Sequence, residues 1–334
     1  MSEKHSIPNK KNFCGGNFQD WLEVNLLPEC NANCAWCVEK GGYRPLGRAT
    51  WKGMAEAAID TGKKNIMLLG GEPTLYPHLG ELIEALVEAN LNVWITTNGS
   101  KLTEEFVEEN LQGVEGINIS IHAPLTELHG SIPGENCEIT GLEIDPLDLG
   151  TAILAMREEN GTSVRMNCNL IKGHIDSAIA VNKYVDWAKE IEADRVRFAE
   201  LKGDDKQFVD ATQIMGESFG LNNDPFTLGC QCDTEIHGMP VNFRQMCGLQ
   251  TKFRLTPVNP VQCAKVVLYY DGNLYPGWQS AENPYPPIDT MSTEVDTGSF
   301  EDFTQKVLAF TDPTGKHKKT EYVYTPAAGS GCQY

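Results

Sequence analysis

The segment "ECNANCAWCVEK" (29–40) carries three thiols, Cys30, Cys34 and Cys37, separated by three residues and then by two. Thiolates on so short a loop are suited to soft metals. Structural zinc takes four protein ligands. A four-iron cluster held by three cysteines keeps one iron open for an outside ligand. The loop alone leaves both readings open. Trp36, directly before the last cysteine, is placed to shield a cluster or face a bound ligand. A second group, Cys230, Cys232, Cys247 and Cys263, is spaced for an auxiliary iron–sulfur cluster or a structural zinc. Cys332 in the tail is a further candidate ligand, and buried apolar thiols are the plainer alternative.

The elements that must hold these loops read as an alternation of strands and helices. "WLEVNLL" (21–27) is strand-like and leads into the cysteine loop. "TWKGMAEAAIDTG" (50–62) reads as a helix with Thr50 as its N-cap and Gly62 as its stop. Strand-like "NIMLLG", "NVWITT", "GINISI", "SVRMNCNLI" and "RVRFAEL" then alternate with helix-like "LGELIEALVEAN", "TEEFVEEN", "LGTAILAMREEN" and "AIAVNKYVDWAKEI". This predicts an α/β protein, a partial (β/α)6 TIM-like barrel over 14–202, with loops for chemistry at the strand ends. The Gly- and Pro-rich stretch 122–147 reads as an insertion at that same end. Beyond 203 the alternation stops, and 203–334 reads as a small α+β cap containing a hairpin at 266–277 around Asp271–Gly272.

Composition sets outer bounds. The 334 residues carry 46 acidic and 27 basic side chains, a net charge of −19. Such a field repels phosphate backbones, so general nucleic-acid binding is disfavoured, while a local basic pocket for a small anion is compatible with it. No run approaches the roughly 18–20 apolar residues of a membrane span. The polar start "MSEKHSIPNKKNF" lacks a secretory apolar stretch. A cytoplasmic protein is expected, and its 11 cysteines then suggest metal binding rather than a disulfide scaffold.

Cys30-x3-Cys34-x2-Cys37 with an aromatic at 36 resembles the signature of the radical S-adenosylmethionine (radical SAM) enzymes, and further motifs follow in the family's order. "GGEPTL" (70–75) resembles the GGEP segment that meets the amino group of SAM, "TTNG" (96–99) ends the third strand, and "NISIHA" (118–123) lies on the fourth. "MNCNLIKG" (166–173) and "RFAEL" (197–201) are similar to strands of the molybdenum-cofactor branch, the GTP 3′,8-cyclase-like enzymes. The resemblance implies a [4Fe–4S] cluster on Cys30, Cys34 and Cys37, with SAM chelating the free iron. Trp36, Gly70, Gly71, Glu72, Asn98, Ser120 and Asn169 are the implied cofactor contacts. It further implies one-electron cleavage of SAM to a 5′-deoxyadenosyl radical, which abstracts hydrogen from a small-molecule or nucleotide substrate. The electron would come from a donor such as flavodoxin or ferredoxin.

Relatives with a SPASM or twitch cap hold a second iron–sulfur cluster, which the group Cys230, Cys232, Cys247 and Cys263 would supply here. Gly277 stands where that pattern has a cysteine. Lys172 matches a nucleotide-contacting position of the GTP cyclases, yet Asp20 occupies the region of their arginine before the first strand, and the chain has no diglycine end. GTP itself is therefore not the expected substrate. His122 and Glu200, at strand ends, are placed either to touch substrate or to make structural hydrogen bonds. A peptide-modifying maturase is the alternative function, although the first 20 residues are short for a peptide-recognition domain. A non-catalytic metal-binding scaffold would leave the ordered strand-end motifs unexplained.

Overall fold

The structure is a computed structural model that describes residues 20–37, 39, 45–125, 134–201, 206–219, 231–245, 250–251, 254–255 and 266–275. Strand–helix units run from β1 (Trp21–Asn25) through α1 (Trp51–Asp60), β2 (Asn65–Leu69), α2 (Leu79–Glu88), β3 (Asn92–Thr97), α3 (Glu104–Asn110) and β4 (Gly116–Ser120). They continue through α4 (Glu135–Thr140), α5 (Pro146–Asn160), β5 (Ser163–Leu170), α6 (Ala178–Glu190) and β6 (Arg195–Glu200) to α7 (Ala211–Phe219). Then follow β7 (Gln231–Ile236), β8 (Met239–Arg244), the short pair β9 (Gln250–Thr251) and β10 (Arg254–Leu255), and β11 (Val267–Tyr269) with β12 (Leu274–Tyr275).

Strands β1 to β6 pair in sequence order, all parallel. The sheet grows at both ends: β8 adds parallel to β6, and β11 adds parallel to β1. Antiparallel β7 and β12 form the outer strands, so among the described residues the order β12-β11-β1-β2-β3-β4-β5-β6-β8-β7 is linear and the barrel stays open.

Local chemistry explains the elements. Thr50, Thr103 and Ser177 cap α1, α3 and α6, their hydroxyls accepting from the amides of Gly53, Phe106 and Ala180. Helix α5 starts with Asp145 as cap and Pro146 in the first position, and it ends at Gly161 in the left-handed region (φ 63°). Strand β5 alternates: Val164, Met166, Cys168 and Leu170 are fully buried, while Ser163, Arg165, Asn167 and Asn169 on the opposite face are half-buried. The apolar face meets the helices and makes the main core. Within it Phe198 of β6 stacks on Phe243 of β8 at 5.3 Å and meets Tyr184 of α6 edge-on at 5.4 Å. The other face carries polar groups from β3 to β8 and, near β1, β2 and β11, a second apolar cluster that includes Met67, Leu69 and Tyr269.

The hairpin expected at 266–277 is present as β11 and β12, with Gly272 in the left-handed region (φ 85°). It extends the barrel sheet at β1. A second hairpin, β7–β8, turns on His237 and Gly238, both at positive φ (51° and 79°). That is the geometry of a two-residue hairpin turn that follows the twist of its strands. The sequence reading found neither this hairpin nor α7. The "HG" between two alternating runs was the available signal.

Phe198→Ala removes a fully buried ring that joins β6, β8 and α6. We expect it to lower unfolding free energy by about 3–5 kcal/mol, read by urea denaturation of the full chain. A loss below about 1 kcal/mol would show that these rings do not tie the added strand to the barrel.

Candidate active site

The cysteine loop leaves the C-terminal end of β1 and runs against the turn after β2. Leu26 N–H donates to the Leu69 carbonyl (2.9 Å), Gly71 N–H to the Leu27 carbonyl (2.7 Å), and Glu72 N–H to the Glu29 carbonyl (2.8 Å). The two backbones are so close that a Cβ on Gly70 would lie 2.6 Å from the Leu27 oxygen, and one on Gly71 2.0 Å from the Glu29 oxygen. Gly70 also has φ 145°. The glycines are thus required first by the chain's own backbone at residues 27–29, directly before Cys30.

Glu72 fastens the next strand end to this pair. Its Oε1 accepts from Thr74 N–H (3.1 Å), the Thr74 hydroxyl (2.7 Å) and the Thr97 hydroxyl (2.5 Å), and its Oε2 accepts from Asn98 N–H (2.7 Å). Burial pushes this carboxyl up, while those hydrogen bonds oppose the shift. Asn98 Nδ2 in turn donates to Asn31 Oδ1 (2.8 Å), inside the cysteine loop, and approaches Cys30 Sγ (3.9 Å). From the far side Asn33 N–H donates to the Thr140 carbonyl at the end of α4 (2.6 Å), so the insertion at 122–147 does pack on this loop.

Cys30 is exposed, and Cys34 and Cys37 are half-buried. Burial, with the charges of Glu72 and Cys37, raises the Cys30 thiol, so a thiolate there calls for a compensating cation. Among the described residues no three His, Cys, Asp or Glu side chains converge as ligands of one metal ion. Cysteines on a four-iron cube each bind a different iron, so they do not need to converge in that way. Three thiols on one loop would suit three corners of such a cube, with the fourth iron left for an outside ligand.

Every candidate for this first site, from Cys30 to Asn169, lines one cavity of about 210 Å³ at the C-terminal ends of the strands. Trp36 lies over the strand ends, packed with Ala123, Ile139, Ile171 and Leu201. It meets the buried His122 ring edge-on at 5.4 Å. His122 Nδ1 accepts from Asn169 N–H (3.2 Å), and its own N–H donates to Asn136 Oδ1 (2.8 Å). Burial lowers His122 to about 4, so the ring is neutral and its acceptor nitrogen is kept. Glu200 also lines the cavity, and its Oε1 accepts from Ala211 N–H (3.0 Å) at the start of α7. Lys172 is exposed on the loop after β5 and does not line the cavity. Of the second cysteine group, Cys232 lies half-buried in β7. Cys230, Cys247, Cys263, Cys332 and Gly277 fall outside the described residues.

Both arginines of the lining escaped the sequence reading: Arg197 of β6 and Arg244 of β8. The alternation of "RVRFAEL" was the signal for Arg197. Nothing marked Arg244, because β8 itself was not recognised.

Residues 24–140 match the family model described as the Radical SAM superfamily. Over these residues the chain is similar to radical SAM domains. Its match spans the cysteine loop, the Gly70–Glu72 turn and the ends of β3 and β4. A radical SAM domain implies a [4Fe–4S] cluster and SAM as cofactors. In sequence the chain is 25% identical over 208 residues to GTP 3′,8-cyclase of Haemophilus influenzae (strain PittEE), covering 59% of this chain and 58% of the relative. A probable GTP 3′,8-cyclase of Sulfolobus acidocaldarius is 26% identical over 275 residues, covering 79% and 82%. The chain therefore spans under two thirds of the Haemophilus relative's length. In fold, the chain resembles Streptococcus suis SuiB bound to S-adenosylmethionine. The TM-score is 0.52 at 19% identity, over 77% of this chain and 58% of that one.

Two outcomes test this geometry. Gly71→Ala forces a Cβ into the Glu29 carbonyl. It is expected to destabilise the fold by about 3 kcal/mol or more and to abolish iron uptake on anaerobic reconstitution, whereas normal iron content would show that the two backbones can separate freely. His122 has a depressed folded pKa. Its neutral form stabilises the fold above the unfolded value near 6.5, and that stability is lost as pH falls towards about 4. Unfolding free energy between pH 7 and 4 should fall less steeply in His122→Asn than in the native chain, by a difference on the order of 2–3 kcal/mol. Identical slopes would mean that the ring titrates normally.

Proposed function

We propose that this protein is a radical SAM enzyme acting on a small-molecule or nucleotide substrate. The observation that carries the reading is the bonding of the three-cysteine loop to the Gly70–Glu72 turn and Asn98, at the strand end of an open barrel and around one cavity. Cys30, Cys34 and Cys37 would hold the cluster. When bound, the cluster and SAM supply a 5′-deoxyadenosyl radical, formed by one-electron cleavage of the sulfur–C5′ bond, that takes a hydrogen atom from substrate. The backbone of Gly70 and Gly71 offers acceptors for the SAM amino group, and Glu72 holds that turn in place. Ser120, Asn169 and Asn98 would bind the polar parts of SAM. Trp36 and the cluster of Ala123, Ile139, Ile171 and Leu201 would exclude water from the cluster.

The segment 203–334 would serve as the cap. Of its described strands, β7 and β8 lie on one edge of the barrel sheet and β11 and β12 on the other. Cys230, Cys232, Cys247 and Cys263 would provide a second iron–sulfur cluster, and a small one-electron carrier such as flavodoxin or ferredoxin would deliver the electron. The low identity to GTP cyclases, together with an exposed Lys172, supports a substrate other than GTP.

Anaerobic reconstitution, followed by reduction with dithionite and SAM, tests the reading. The native chain should bind iron and sulfide and release 5′-deoxyadenosine, and the Cys30/Cys34/Cys37→Ala variant should release none. Roughly half the iron remaining in that variant is expected if the second group holds a cluster of its own. A native chain that takes up zinc and no iron would end the proposal.

A further inference from the structure

The concave face of the sheet gathers positive charge, and among the described residues the guanidinium of Arg244 has no acceptor. Register places Asn167 of β5 beside Arg197 of β6 and Arg197 beside Asn242 of β8. One step nearer the mouth, Asn169 pairs with Ala199 and Ala199 with Arg244. Arg165 lies one step deeper, paired with Arg195, and its guanidinium sits over the Trp94 ring at 6.0 Å. Arg244 is 1% exposed. Among the described residues none of its three guanidinium nitrogens has a hydrogen-bond partner, and the buried Oδ1 of Asn167 has none either. Arg197 donates from Nε to Asn242 Oδ1 (3.2 Å).

Arg165, Arg197 and Arg244, with Arg195 beside them, repel one another across this face. Burial, with the charges of Arg165 and Arg244, holds Arg197 well below its ordinary value, and burial with Arg195 and Arg244 brings Arg165 down to about 9. Asp233 of β7 is the carboxylate whose charge favours Arg197. It accepts from Asn242 Nδ2 (2.7 Å), which links it to the same row. A buried charge left unpaired costs several kcal/mol, and a fold keeps such groups where an external partner neutralises them. The donor fork that Arg244 leaves unfilled among the described residues, beside Arg197, suits the oxygens of a phosphate group. Arg244 and Arg197 both line the cavity that Cys34, Trp36 and Cys37 also line. Ala199, between Asn169 and Arg244, contributes only a methyl group to the wall at that level.

We propose that Arg244 and Arg197 receive a phosphate group of the substrate, with Arg165 as the deeper supporting charge, and so set the substrate's orientation towards the radical-generating side of the cavity. The inference rests on the proposed function for the word substrate, and on the arginine cluster alone for the phosphate. It assigns the specificity role to β8, a strand outside the six strand–helix units that the family motifs mark.

The test uses the full chain with its reconstituted cluster, and the probes are inorganic phosphate and pyrophosphate, with succinate and chloride at matched ionic strength. Phosphate is expected to raise the melting temperature of the native protein, and chloride is not. Arg244→Met should weaken phosphate binding at least tenfold by calorimetry while holding SAM affinity within twofold. In phosphate-free buffer it should melt no lower than the native chain, because an unpaired buried charge has been removed. Arg244→Lys, which keeps the charge but loses the fork, should give an intermediate phosphate affinity and serves if the Met variant fails to fold. Equal stabilisation by chloride, undiminished phosphate binding in both Arg244 variants, or a preference for succinate over phosphate would each overturn the proposal. So would a matching loss of SAM affinity, since the cluster would then hold the SAM carboxylate. If the native chain takes up no iron, the proposed function fails and the phosphate titration of the cluster-free chain still decides this inference.

Discussion

The close contact between residues 27–29 and 70–72 is the constraint on which the site depends. Two parallel strands deliver their C-terminal loops to one place, and three backbone hydrogen bonds continue the β1–β2 ladder past the last strand residues. Only glycine at 70 and 71 permits that approach. The start of the cysteine loop is therefore fixed by main-chain geometry rather than by the thiols. Glu72 then converts a two-strand junction into a three-strand one, because its two carboxylate oxygens take donors from its own turn and from the end of β3. A buried carboxylate is costly unless its oxygens are matched, and here both have donors.

A second constraint is the inverted placement of polarity. In a closed eight-stranded barrel the interior is filled by apolar layers. Here the apolar core lies between the sheet and the helices, and the concave face carries Asn118 beside Thr96, then Asn167, Arg197 and Asn242. An open sheet can leave room beside these groups, while Met67, Leu69 and Tyr269 keep the same face apolar near β1, β2 and β11. The apolar patch under Trp36 sits at the rim, where a cluster would have to be kept from water.

Strands β8 and β11 show how the C-terminal segment contributes. Each adds in parallel to an edge of the six-stranded unit, and each brings new side chains to the inner face: Asn242 and Arg244 on one side, Tyr269 on the other. The strand ends of β2 and β3 hold the groups that bond to the cysteine loop, Gly71, Glu72 and Asn98. The added edge at β8 holds the unmatched positive charge.

The sequence by itself determined the α/β alternation, the cap at Thr50, the hairpin at Asp271–Gly272 and the cysteine, glycine and strand-end motifs. Each of these depends on local rules: period, capping chemistry, turn conformation and short spacing. It also placed Glu72 and Asn98 in the site, although as contacts for a ligand; the network they make with Thr74, Thr97 and Asn31 became visible only in three dimensions. The tertiary structure alone decided that the glycines face residues 27–29, that β8 lies beside β6, and that Arg244 shares a wall with Arg197. Those facts come from strand pairings between segments tens of residues apart, and no periodicity within either segment records its partner. A lone arginine in "VNFRQM" reads as a surface residue until the pairing Ala199–Arg244 puts it inside. Local order was written in the chain, and the charge balance of the cavity was set by its folding.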